Sequence, residues 1–257
     1  MLAKGAALYE LLRDDLRFTY YGRGVGVATE TEVEADPSIV LGLAKLQGAT
    51  NIGFVTEHKR EALLDMLAQA GLSVTEYAYW AVARDALHVA RAVTSTVPLA
   101  PGLTLHRVTP VSPPSLLREL ARTAASCDVL LPNVAVLDGS LKPGLALLAT
   151  NEDGEGVACA GAASFAHPGH PSLGKVAWWG MLATRPDWRG QGLALHLGAQ
   201  SLIGFAADGD FTSLMTGIVP GNTASESVCR KLGLAPTGAH ILTIVDAAAL
   251  PDGKLTS

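Results

Sequence analysis

With 257 residues, 49% of them apolar and 17% charged, the chain can bury a large core and is too hydrophobic to be disordered. A net charge of −5 argues against a nucleic-acid binder, which carries a basic patch, and no apolar run approaches the ~18 residues that a membrane span needs. Cys127, Cys159 and Cys229 are too few and too widely spaced for a disulfide framework or a zinc site, and Glu10, Arg13, Asp14 and Asp15 break any secretory pattern early, so a soluble cytoplasmic protein is expected.

In chain order, residues 5–13 read as a helix. Residues 18–28 mix β-formers with glycine, and Gly22, Gly24 and Gly26 invite a nucleotide-loop reading. The third spaced glycine is missing and an acidic stretch, 30–36, stands where a helix should open, so a glycine-interrupted hairpin is preferred. A helix over 37–45 and a strand over 51–56 follow. Residues 57–70 form an amphipathic helix with Leu63, Leu64, Met66 and Leu67 inward, closed by Gly71, and 74–82 alternate as a strand. The segment 97–102, Val-Pro-Leu-Ala-Pro-Gly, is a linker by its prolines and glycine, and places a domain boundary between 1–97 and 98–257. Beyond it come a strand at 103–108, a helix at 113–126 and a hairpin of strands 144–150 and 157–165. A long apolar strand at 175–184 follows.

Residues 185–192, Arg-Pro-Asp-Trp-Arg-Gly-Gln-Gly, are a turn leading into a helix over 193–207; then come a buried strand at 211–219 and a helix at 223–232 closed by Gly233. A glycine-rich segment that leaves a strand and opens a helix presents free N–H groups at the positive end of the helix dipole, which is an anion site with phosphate as the usual guest. Gly190 and Gly192 remove the Cβ atoms that would hold a phosphate away, and Arg189 adds a charged fork. With the turn at the surface, a side chain added at Gly192 is expected to obstruct that anion and to leave the fold alone.

Residues 189–194, Arg-Gly-Gln-Gly-Leu-Ala, fit Arg/Gln-x-x-Gly-x-Gly/Ala, with Asn222 after the next strand and Arg-Lys-Leu-Gly-Leu ending at Leu234. In this combination the chain resembles the GCN5-related N-acetyltransferase (GNAT) superfamily over about residues 103–245. The resemblance implies an α/β fold, a mixed sheet flanked by helices over 98–257, preceded by a smaller α/β domain at 1–97. Strand, helix, Gly71-Leu72, strand in the front part parallels strand, helix, Gly233-Leu234, strand behind, which raises a degenerate half of the same fold. Acetyl-CoA is the implied acyl donor. Its pantetheine arm would pair with the backbone of Met181, Leu182, Ala183 and Thr184, and its pyrophosphate would lie on Arg189, Gly190, Gln191, Gly192, Leu193 and Ala194. Asn222 would bond the pantetheine or orient the acceptor, a small-molecule or amino-acid-like amine attacking the thioester directly. A homo-oligomer is left open, and neither nucleic acid nor membrane is an expected partner.

The sequence departs from the family where chemistry is concerned. The tyrosine that often follows the asparagine by seven residues is replaced by Cys229, and no tyrosine occurs after Tyr79. The central strand also lacks the glutamate that many members use as base. Cys229 and Ser225 are the catalytic candidates that remain, with Cys229 most simply a small buried residue. His167 and His170 read as solvated loop histidines, and two histidines without a third ligand make no metal site. Trp178 and Trp179 point to opposite faces of their strand, one toward the core and one toward an acceptor pocket. Two alternatives stand beside the enzyme: an acyl-CoA-binding module without turnover, and a Rossmann dinucleotide enzyme, disfavoured because Gly-x-Gly-x-x-Gly is absent.

Overall fold

The computed structural model describes residues 1–29, 36–82, 85–209 and 211–249. The front part runs α1 (Leu2–Leu12), β1 (Phe18–Thr19), β2 (Gly26–Val27), α2 (Pro37–Gln47), β3 (Ala49–Val55), α3 (Glu57–Gln69), β4 (Leu72–Val82) and α4 (Ala86–Thr96). The back part runs β5 (Thr104–Arg107), α5 (Pro114–Ala125), α6 (Val134–Leu137), β6 (Gly144–Thr150), β7 (Gly156–Ser164), β8 (Val176–Thr184), α7 (Leu193–Asp208), β9 (Ser213–Ile218), α8 (Thr223–Lys231) and β10 (Leu234–Asp246). The short antiparallel pair β1–β2 is the expected glycine-interrupted hairpin; of the acidic stretch that follows it, residues 30–35 lie outside the described residues. Helix α4, capped by Asp85 accepting from the His88 N–H at 3.1 Å, is an addition to the expected elements.

Among the described residues all the strands join one mixed sheet in the order β1-β2-β3-β10-β4-β9-β8-β7-β6-β5. The middle of that order decides the architecture. β10 is antiparallel to both β3 and β4, and β4 is antiparallel to β9. The units β3-α3-β4 and β9-α8-β10 have therefore exchanged their second strands, and the series β3-β10-β4-β9 reads the same when the two are interchanged. Each unit closes its helix with a glycine in the left-handed region, Gly71 at φ +72 and Gly233 at φ +87. The internal parallel anticipated from Gly-Leu is thus a relation between two strand–helix–strand units about a pseudo-twofold axis. It also alters the meaning of the division at 97/98. That point separates two stretches of chain but not two sheets, because a front strand fills the slot between two back strands.

The two faces of the sheet carry different helices. Trp179 is fully buried against α7, with its indole N–H donating to Ser201 Oγ at 2.9 Å, and Gly198 leaves room where a Cβ would stand 2.9 Å from the ring. Trp80, Cys229 and Leu232 share that face, under α4, α7 and α8. Glu76 lies on the same side of β4 as Trp80 and pairs with Arg60 of α3, and His240 of β10 meets Glu57 of α3 at 2.7 Å. Helix α5 covers the other face of β7 and β8, with Leu120 and Ala124 fully buried in the cluster that holds Trp178 and Met181.

The loop 20–24 fastens the front part to the back. The Tyr20 N–H donates to Phe165 O at 2.6 Å, the Asn133 N–H to Gly22 O at 2.6 Å, and Lys142 Nζ to Tyr20 O at 2.7 Å. Burial pushes the Lys142 ammonium down to about 7. Below that pH both the folded and unfolded chains hold this proton; between it and the ordinary lysine value only the unfolded chain does, so Lys142 makes stability rise with pH in that window. The difference in melting temperature between Lys142→Met and the parent is expected to shrink from pH 7 to pH 9.5, the variant being the more stable at pH 7. Parallel melting curves across that range check it, and a constant offset would show that the amine stays charged.

Candidate active site

β8 and β9 run parallel, but among the described residues they are hydrogen-bonded only from Val176↔Ser213 to Trp178↔Met215. Beyond that point β9 is held by β4 and β8 by β7, and the strands part. A cleft of about 890 Å³ opens in the gap. Its lining brings together every sequence-predicted donor residue except Gln191: Leu182, Ala183 and Thr184 from β8, Arg189, Gly190, Gly192, Leu193 and Ala194 from the turn, and Asn222 beyond β9. Ser225 and Cys229 of α8 line it as well.

The turn is built as an anion cradle. Arg185 is consumed by acids, meeting Asp187 at 2.6 Å and Glu155 at 3.2 Å, and this fixes the 3-10 turn at Pro186–Trp188. Arg189 has no carboxylate partner among the described residues; its Nε donates to Thr184 O at 3.2 Å, which ties the guanidinium to the end of β8. Gly190 and Gly192 have φ of +80 and +76, and a Cβ at Gly190 would meet nothing within 4 Å. Gly192 is the N-cap of α7 without a side-chain cap, so the first-turn N–H groups are left for a ligand. Thr184 Oγ1 is buried and has no hydrogen-bond partner among the described residues. Bare glycines, a guanidinium with no acid beside it among the described residues, an uncapped helix start and an orphaned hydroxyl fit a phosphate-bearing ligand. One expectation is corrected: a Cβ at Gly192 would stand 3.0 Å from Val97 Cγ1, so that glycine serves the fold as well as the cradle.

Around α8, Asn222 is the N-cap, accepting from the Ser225 N–H at 3.1 Å, while Thr223 is the first helical residue. Cys229 is 2% exposed, and burial pushes its thiol up to about 12. His167 and His170 do not line the cleft; their Nδ1 atoms accept from the N–H groups of Gly169 and Leu173, at 2.9 and 3.2 Å. No cluster of metal-ligating side chains occurs among the described residues. Trp178 is the indole that faces the cleft, stacked on Tyr21 with ring centroids 4.7 Å apart.

Three features escaped the sequence. Met181, with φ +58, forms a bulge: Cys159 faces Ala183 while Gly161 faces Gly180, so β8 carries an extra residue where it borders the gap. A non-glycine residue there is strained by about 1–2 kcal/mol, and Gly161 accommodates it, since a Cβ at 161 would stand 3.1 Å from Met181 Cε. The front part also supplies Tyr21, Arg23 and Tyr77 to the lining, so tyrosines do reach this cleft, brought by β4 and by the loop after β1. Cys127, at the end of α5, donates to Thr184 O at 3.3 Å. A methionine in an apolar strand gives no sign of positive φ; Gly180 beside it is the only local hint.

Residues 117–234 match the model of the acetyltransferase (GNAT) family. The chain is similar in fold to a GCN5-related N-acetyltransferase from Kribbella flavida, with 18% identity, 96% of each chain covered and a TM-score of 0.57. It is similar to a tandem GNAT protein from the clavulanic acid biosynthesis pathway, with 12% identity, 86% of this chain and 74% of that one covered and a TM-score of 0.52. A functionally unknown conserved protein from Staphylococcus epidermidis shares 10% identity over 90% of this chain and 92% of its own, with a TM-score of 0.53. No curated protein matches. Residues 117–234 thus match the acetyltransferase (GNAT) family model, and solved GNAT proteins share the fold over most of this chain.

Proposed function

We propose that the chain is an acyl-CoA-dependent N-acyltransferase, moving an acetyl group from acetyl-CoA to the amine of a small molecule or amino-acid-like acceptor by direct attack. The observation that carries this reading is the bare-glycine turn beside the β8–β9 gap, with Arg189, which has no carboxylate partner among the described residues, next to it. Acetyl-CoA would supply an activated thioester. The first-turn N–H groups of α7 and Arg189 would hold its pyrophosphate, and the β8 backbone past Met181 would align the pantetheine. The nitrogen–carbon bond forms as the carbon–sulfur bond breaks, one amine proton goes to solvent, and the sulfur takes one up. Free Cys127, Cys159 and Cys229 fit a reducing compartment, hence the cytoplasm. A thermal shift with acetyl-CoA and none with NAD, followed by thiol release over an amine panel, tests the reading; binding without release would leave the acyl-CoA-binding module.

That second reading is favoured by one observation: Asp128 is the sole carboxylate among the cleft residues. A thiol with pKa about 12 also gives its proton to a leaving thiolate of ordinary pKa at a cost of about 5 kcal/mol. Cys229 is thus a packing residue in both readings, the one with turnover included. Cys229→Ala is expected to keep acetyl-CoA affinity and to lose less than about tenfold in kcat, well below the ~10²–10⁴ of a lost general acid. Stopped assays of thiol release check this, and a thousandfold fall with intact affinity would make the thiol a participant.

A further inference from the structure

The cleft extends past the donor residues onto a part of the sheet that no described helix covers. Asn51 and Thr243 are register partners there, as are Tyr77 and Ile241, and Gly217 lies beside Tyr77; all five are half-exposed. Their opposite-face neighbours Glu76 and His240 are the ones engaged by α3. This bed is neutral. At its rim stands a fixed cation: Arg23 Nε and Nη2 both donate to Leu130 O, at 3.0 and 2.6 Å. Its guanidinium carbon lies 5.5 Å from the Trp178 ring centroid and 5.7 Å from that of Tyr21.

A carbonyl oxygen holds Arg23 in place without neutralising it, and no carboxylate lies within ion-pair distance among the described residues. Two of the five guanidinium N–H groups serve Leu130, which leaves Nη1 and half of Nη2 for a planar anion. The aromatic pair fixes the plane of the fork and thins the water around it. Trp178 is three residues before Met181, about 10 Å along the strand, so a carboxylate at Arg23 and an amine at the bulge would be separated by a distance of that order. We propose that the acceptor is an amino acid in the broad sense, an amine that also bears a carboxylate, and that Arg23 binds this carboxylate. The proposal rests on the acyl-transfer reading and narrows it: a polyamine or a simple amine would meet a cation in this bed, and the one carboxylate among the described cleft residues, Asp128, belongs to the turn after α5.

The test is thiol release from acetyl-CoA with two matched panels. One holds L-α-amino acids and straight-chain ω-amino acids; the other holds the same amines without their carboxylate. Expected is at least one acid used with kcat/KM tenfold or more above its matched amine. Arg23→Gln should erase that preference by raising the KM of the acid to that of its matched amine, and Arg23→Lys should restore part of it. Thermal shifts by the corresponding N-acetylated acids should vanish in Arg23→Gln at unchanged acetyl-CoA shift, and the apo melting temperatures identify a variant that merely loosens the loop. Equal or better use of the carboxylate-free amines, a preference that survives Arg23→Gln, or silence of the acid panel while acetyl-CoA binds, would each overturn the proposal. Failure of acetyl-CoA itself to bind would instead overturn the acyl-transfer reading.

Discussion

Expressed alone, residues 98–257 are expected to lack a cooperative fold. The prolines and glycine of residues 97–102 suggest a boundary just ahead of this fragment and an independent core behind it. The sheet argues the reverse, because β4 pairs with β10 along nearly its whole length and with β9 from Ala78↔Ile218 to Ala81↔Met215. Its removal strips β9 and β10 of the strand between them and takes out Trp80, 2% exposed, whose ring lies 5.0 Å from the Arg230 guanidinium carbon of α8. The fragment also loses Ala90 of α4, fully buried beside α7. Deleting one buried tryptophan side chain costs about 3–5 kcal/mol, against about 5–15 kcal/mol for the stability of a whole domain. A shallow, non-cooperative melt and dye binding are therefore expected of the fragment, and mixing it with residues 1–97 should recover a single transition. A sharp melt with well-dispersed amide resonances from the fragment alone would show that the exchanged strand is dispensable.

What the sequence makes legible follows from the range of the interactions involved. The 156–164 strand and its hairpin partner, the amphipathic α3 and the Gly-rich turn are specified within a dozen residues, by periodicity, by Gly154 and by the helix-closing Gly71. The choice of strand partner is not local. Nothing in 72–82 says that this strand lies between β9 and β10 and not beside its neighbours in sequence, so the exchange stayed hidden, and the shared Gly-Leu was its one trace. The acceptor side was lost for the same reason. Looking for a tyrosine only after Asn222 misses Tyr77, which reaches the cleft through that strand, and Tyr21 and Arg23, which reach it through a loop anchored on Leu130 and Asn133. The donor side was readable because its determinants are consecutive in sequence. Helix α4 is harder to read although Ala86, Ala90 and Val93 recur at helical spacing, because that stripe is made of small residues and gains its meaning only from contact with α7.

Substitution in the turn has the largest expected effect on ligand binding. Gly192→Val is expected to reduce acetyl-CoA affinity by more than ~10²-fold, through an added Cβ in the cradle and a first turn of α7 that no longer aligns its N–H groups. The same change lowers stability by about 1–2 kcal/mol from the left-handed backbone alone, and contact with Val97 Cγ1 at 3.0 Å adds to it. Lost affinity in that variant would therefore be ambiguous on its own. Arg189 separates the causes. It is exposed and, among the described residues, its side chain is hydrogen-bonded only through Nε to Thr184 O, so Arg189→Ala should leave the melting temperature within a degree or so. Its loss should still weaken acetyl-CoA binding by about 1.5–3 kcal/mol, the range for hydrogen bonds to charged groups. This is roughly a ten- to 150-fold rise in Kd. Raising the salt should shrink the Arg189 effect more than the Gly192 effect, because the first is an exposed charge and the second is steric. Calorimetry on the parent and both variants at two ionic strengths decides the matter: unchanged Kd in both variants would remove the turn from the binding site, and with it the acyl-transfer reading.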